Sequence, residues 1–204
     1  MTISYPLNLP DVGRGPSRIR LKYKASIANT QNPYNYRVLN YIHDGQIWLA
    51  DVDLPTLTPD QAGAWEAFLA SLNGTEGTFW LYDTSRPEPM GVLGGSPVID
   101  GDDQTGQSIN TRGWSVSTQG VLKMGDPIQI GNFYHKVLTD VDSDASGNAT
   151  IDIFPKLRQV SEDDQPIITS TPKGLFTLNE NSVIIHDSRA DRNKTISFSA
   201  VEAI

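Results

Sequence analysis

A chain of 204 residues with 38% hydrophobic and 20% charged side chains has the make-up of a folded globular protein, one moderate domain or two small ones. It holds no cysteine, which excludes disulfides, thiolate metal sites and cysteine nucleophiles. The net charge of −8 disfavours a general role on nucleic-acid phosphates, and no apolar run approaches the roughly 18 residues that cross a bilayer.

The first residues, MTISYPLNLPDVGRGPS, read as an extended arm without the basic start and apolar core of a signal peptide. From Arg18 to Ile27 the alternation predicts a strand with Ile19, Leu21 and Tyr23 inward. Arg18, Arg20, Lys22 and Lys24 then form its wet face, which is preferred over a dedicated anion site including Arg14. Asn32-Pro33 breaks the strand. Further strands are predicted at 34–39 and 46–52, joined by a hairpin turn at His43-Asp44-Gly45. One helix follows, with Thr58 as N-cap, Pro59 at its first position and Gln61 at capping-box spacing. Ala62, Trp65, Leu69 and Leu72 recur at helical spacing, Phe68 widens the stripe, and Asn73-Gly74 stops it. A strand at 78–82 comes next. Trp48, Trp65 and Trp80 fall on predicted core faces, so packing residues are expected at Trp48, Trp65, Phe68, Leu69, Leu72 and Trp80.

The texture changes at Arg86-Pro87-Glu88-Pro89, and Gly91-Val92-Leu93-Gly94-Gly95 reads as a hinge, since no helix or Lys-Ser/Thr follows to make a phosphate cradle. Beyond it lie short β-like runs at 98–99, 107–110, 127–130, 133–141, 149–154 and 167–168, without helical period, as in a small barrel of the OB type. A second boundary falls at Thr171-Pro172-Lys173-Gly174, followed by strands at 175–178, 183–186 and 195–201. The fold is therefore read as mainly β. Residues 1–88 and 172–204 form a discontinuous outer domain, and residues 89–171 form a barrel inserted into it. The insert holds 11 acidic and 5 basic residues, a net of −6, against −2 for the remainder.

Chemistry is sparse. DVDSDASGNATIDI, residues 140–153, places Asp142, Asp144 and Ser146 in EF-hand register, but the twelfth position, a bidentate Glu in that motif, is Ile153. A hairpin tip with its aspartates in water and Val137, Val141, Ile151 and Ile153 packed beneath explains the stretch better. His43, His135 and His186 lack zinc-ligand spacing. The pairs Asp102-Asp103 and Asp163-Asp164 sit in polar loops, and no Gly-x-Ser-x-Gly elbow exists. No catalytic residue, metal or cofactor is expected. Trp114, between Gly113 and Ser115, reads as a cap on the barrel or else as an exposed ring that stacks on a sugar, with Tyr134 beside it as a second carbohydrate candidate.

Several segments, taken in order, resemble the distal tail proteins of long-tailed bacteriophages with flexible tails. These are PTLTPDQAGAWEAFLASLNGTEGTFWLYD, then GQSINTRGWS and VLKMGDPIQIGNFYHKVLTDVDSDASGNATIDIFPKLR, then PKGLFTL and ISFSAVEAI. The likeness covers most of the chain from about residue 37 and rests on turns and core positions. It implies a structural, non-enzymatic virion protein, a homohexameric ring at the end of the tail. Such a ring joins the tail tube protein to the baseplate hub or tip. Its outer domain would be a β-sandwich with one helix, and its OB-like insert would project toward side fibres or host-surface glycans. A membrane or a specific nucleic-acid partner is not implied.

Overall fold

The computed structural model describes residues 3–179, 185–188 and 193–204. It is mainly β, with two sheets and one helix. The strands are β1 (Arg18–Gln31), β2 (Val38–Asp53), β3 (Thr78–Leu81), β4 (Gly95–Ile99), β5 (Gly106–Trp114), β6 (Pro127–Ile130), β7 (Phe133–Val137), β8 (Ala149–Leu157), β9 (Ile167–Ile168), β10 (Gly174–Leu178), β11 (Ile185–Ser188) and β12 (Lys194–Glu202). The helix α1 spans Pro59–Ser71. The strand expected at 183–186 falls partly on residues 183–184, outside the described residues, and β11 begins at Ile185.

The first sheet runs β1-β2-β12-β10-β3, with β11 also on β12. Its strands come from both sides of the second sheet, which lies wholly within residues 95–168. Helix α1 begins as its residues dictate, with the Gln61 side chain accepting from the Thr58 amide at 3.2 Å. It buries Ala62, Trp65, Phe68 and Leu69 against Phe79 and Phe198. Leu72 closes that core, and Asn73 and Gly74 end the helix at positive φ. Where a sandwich would place a second sheet, the inner face of this sheet carries α1 at one end and the barrel's Tyr134 and Phe154 at the other. Trp80 departs from its expected role: Phe79 and Leu81 take the inner face of β3, while Trp80 is half-buried on the outer face beside the arm residues 8–16. Period 2 permits either face, and on β3 the smaller ring of Phe79 takes the inner one.

The second sheet runs β4-β5-β8-β7-β6-β9 and nearly closes on itself. An isolated bridge joins Val98 to Pro166, and the Ile99 amide donates to the Gln165 carbonyl at 2.9 Å. Arg112 clasps this seam by binding Asp100, Asp163 and Asp164. The core inside includes Ile99, Ile109, Trp114, Ile128, Val137, Val141, Ile151 and Ile153.

Two connections between the sheets replace the expected hinge. The Asp126 carboxylate, fully buried, accepts from the amides of Met90 (2.8 Å), Gly91 (3.0 Å) and Lys123 (2.7 Å) and from the Arg86 guanidinium. Gly91 lies so close to the Val121 and Leu122 backbone that a Cβ would come within 2.3 Å of the Val121 carbonyl oxygen. Residues 91–93 are thus bound along 120–121, with Val92 donating to Gly120 and Leu93 to Val121. Glycine here signals close approach rather than freedom to swing. The second connection is Arg158 at the end of β8. Its guanidinium forms two 2.6 Å bonds to Glu202 of β12, and its Nε donates to the Gln46 carbonyl of β2 at 2.8 Å.

Candidate functional site

Both carbohydrate candidates are withdrawn from solvent. Trp114 is 4% exposed, packs in the barrel core and donates its indole N–H to the Thr111 hydroxyl at 2.8 Å. The reading of Trp114 as a barrel cap is the one the packing favours. Tyr134 is 2% exposed and edge-packed against Trp48, whose indole donates to the Tyr134 carbonyl at 3.0 Å. A sugar needs an open aromatic face, which neither residue offers. Polar neighbours in sequence concealed this: Gly113 is exposed and Ser115 half-buried, while Trp114, the last residue of β5, turns into the core.

Asp140, Asp142 and Asp144 are exposed, as expected of a hairpin tip, and they also hold a network of turns. Asp140 accepts from the Met124 amide at 2.8 Å and from Lys123, and these two contacts hold its carboxyl below the ordinary range. Asp142 accepts from the Gly120 amide at 2.6 Å. Asp144 accepts from the amides of Asn148 and Ser146, both at 2.8 Å, and these likewise depress it. One oxygen of each carboxylate is thus committed to backbone donors. Val137, Val141, Ile151 and Ile153 are buried beneath, as the alternation requires. Among the described residues, no group of three or more His, Asp or Glu side chains is placed to hold a metal ion.

His135 is fully buried in β7, with Nδ1 2.7 Å from the Pro155 carbonyl oxygen and Nε2 without a partner. Burial pushes the imidazole down to about 4, a shift that Arg158 reinforces and the Pro155 carbonyl opposes. The folded value lies below the unfolded one, so the unfolded chain takes up the proton first on acidification. Stability is then lost as pH falls from about 6.5 toward 4. Urea titrations at pH 6.5 and 5.0 should show a loss of about 2 kcal/mol from this group. His135→Asn, which keeps a donor for Pro155, should flatten that slope; an unchanged slope would assign it elsewhere.

The wet face expected of β1 is present. Arg20 lies 3.5 Å from Asp53 and Lys22 is paired with Asp51, so these cations are matched within the sheet. Asp51 is held below its usual range by Lys22 in the first place, which outweighs its partial burial. Ile19 and Leu21 turn inward, but Tyr23 is 69% exposed.

From this point the chain departs from expectation. His43-Asp44-Gly45 makes no hairpin turn. β2 runs unbroken through it, and the register slips there, with Ala25 opposite Gln46 but Ile27 opposite Ile42. An Asp-Gly in a long strand has become a bulge, where a Cβ on Gly45 would come 3.3 Å from that of Ser26. The true turn is at 32–37. The Asn32 side chain accepts from the Tyr34 amide, Asn35 from the Arg37 amide, and Tyr36 takes a φ of 56°.

The result is a two-stranded ribbon that reaches beyond the sheet. Every residue from 22 to 43 is exposed. Its apolar side chains are in the open: Ile27 51%, Tyr34 93%, Tyr36 74%, Leu39 49%, Tyr41 55% and Ile42 80%. Cross-strand partners share a face, so Ile27 and Ile42 lie on one side and Leu39 and Tyr41 on the other. Between Ala25 and Ile42 the one charged side chain is Arg37. This surface was readable in the sequence as an 18-residue run with one charge and three tyrosines. The Asp-Gly turn signal at 43–45 masks its extent.

No helix among the described residues is long and apolar enough to cross a membrane. Comparison of the chain with protein-family models and with curated proteins finds no match.

Proposed function

We propose that the protein is a structural subunit that assembles with copies of itself into a ring, and that the ring is the hexameric junction at the distal end of a phage tail. In that position it would join the tail tube to the hub or tip. The observation that carries the reading is the ribbon, uncovered on both faces over 22–43 and with one charged residue from 25 to 42. Surfaces that stay in water keep their charges, whereas interface cores lose them and gain tyrosine. The phage placement adds the sequence resemblance described above. The acidic barrel, bolted to the sheet, then presents a fixed projection to other virion proteins or to host glycans.

Light scattering on the purified protein, followed by negative-stain imaging, tests this. Rings of six copies are the expected result, and a strict monomer at high concentration, alone and with tail tube protein, would count against it. Ile42→Lys together with Tyr41→Lys should abolish assembly at no more than about 0.5 kcal/mol of monomer stability, since both side chains are exposed in the monomer. Assembly that survives both lysines would remove the ribbon from the interface.

A further inference from the structure

We infer that the ribbon is completed by strand addition in a head-to-tail sense, the outer edge of β1 in one copy pairing with the outer edge of β2 residues 38–43 in the next. The inference rests on the self-assembly reading above and specifies its partner surface. β1 is the terminal strand of its sheet, so its far edge has no ladder. β2 pairs with β12 only over Leu49–Asp53, and Gln46 is held by Lys156 and Arg158, which leaves its second edge unladdered from Val38 to His43 among the described residues. Both edges of the ribbon are therefore open, along with both faces.

An isolated two-stranded ribbon is at best marginally stable in water, and a third strand is the usual remedy. Among the described residues of one chain nothing supplies it. A two-fold arrangement, β1 against β1, would complete one edge and leave the other bare. A rotation about an axis along the ribbon completes both. It also keeps strand direction, so β2 of one copy meets β1 of the next antiparallel, because β1 and β2 are antiparallel within each copy. Side chains that now have one cross-strand neighbour would then have two. The composition allows like ribbons to adjoin: with Arg37 the single charge from Ala25 to Ile42, copies meet without repulsion. Lys22 and Lys24, which would repel, lie at the stem, where Lys22 is already paired with Asp51.

The natural chain has no cysteine, so single substitutions report cleanly. Asn29→Cys on β1 and Asn40→Cys on β2 are exposed and polar, and oxidation is followed on gels for each alone and for their mixture. Because register between copies is free to vary, the scan extends to Ala25 and Gln31 against Val38 and Ile42. Head-to-tail pairing gives disulfide dimers in at least one mixture of a β1 variant with a β2 variant, and none from any variant alone. Dimers from β1 variants alone would establish the two-fold arrangement and overturn this inference. Oligomers by light scattering with no cross-link in any combination would also overturn it, while leaving ring assembly standing. A monomer throughout would remove both.

Discussion

Replacing Asp126 with asparagine should lower stability by about 3 kcal/mol, read as a fall of about 6–12 °C in Tm. The size follows from how the carboxylate is used. Oδ1 accepts from Arg86 and the Met90 amide, and Oδ2 accepts from the amides of Gly91 and Lys123. Asparagine keeps one acceptor oxygen and turns an NH2 group toward the other pair of donors. Two buried donors then face a donor, and the Arg86 guanidinium, whose side chain is 27% exposed, loses its counter-charge. Asp126→Ala should cost at least as much, because all four donors lose their partner. Urea denaturation at pH 7 checks the size, and proteolysis between 84 and 92 checks the place. A loss below 1 kcal/mol would mean that the Gly91 packing alone fixes the join.

That knot also shows what can be read from a sequence and what cannot. The spacing Lys123-Met-Gly125-Asp126 marks a turn, and a turn is present, with the Asp126 amide donating to the Lys123 carbonyl at 2.9 Å. That the same aspartate captures residues 86–91, some 35 positions earlier, is a tertiary fact with no local signature. Local signals did well wherever one period governed a whole element. The α1 stripe, the strands at 127–130 and 167–168, and the alternation of β8 and β12 all lie where their patterns put them.

Errors came where one signal serves two structures. Asp-Gly is shared by turns and bulges, and only the partner strand decides between them; here β1 continues past Ser26, so β2 must as well. Gly91–Gly95 is shared by hinges and close contacts. A Cβ on Gly95 would sit 2.0 Å from the Gly113 carbonyl oxygen, which makes the stretch a contact. Tryptophan next to glycine and serine suits an exposed ring or a capped barrel, and burial settled it for Trp114. The candidate surface on 22–43 was hidden for a different reason. Exposure of apolar residues is a property of what fails to cover them, and alternation along one strand carries no information on that.

Arg158→Met should be the most damaging single change at the junction, costing about 3–5 kcal/mol. The Arg158 side chain is 7% exposed and that of Glu202 is fully buried. Removing the guanidinium leaves Glu202 with the Trp48 amide as its remaining donor, at 3.0 Å, and strips the Gln46 carbonyl of its 2.8 Å partner. Burial already pushes the Glu202 carboxyl up, and Arg158 is what pulls it back, so in the variant the acid should take up a proton or lose its site. The stem of the ribbon depends on this contact, because Gln46 and Trp48 are β2 residues just after the bulge. A double variant, Arg158→Met with Glu202→Leu, should recover at least about 2 kcal/mol of the loss, since no orphan charge remains. Urea denaturation of the two singles and the double supplies the cycle. If Arg158→Met costs under 1 kcal/mol, the junction is held instead by the rings of Tyr23, Trp48, Tyr134 and Phe154, which meet edge to face at centroid distances of 5.1–6.3 Å. If it costs the full amount, and ring assembly fails with it, the barrel and the ribbon are positioned by the same buried pair.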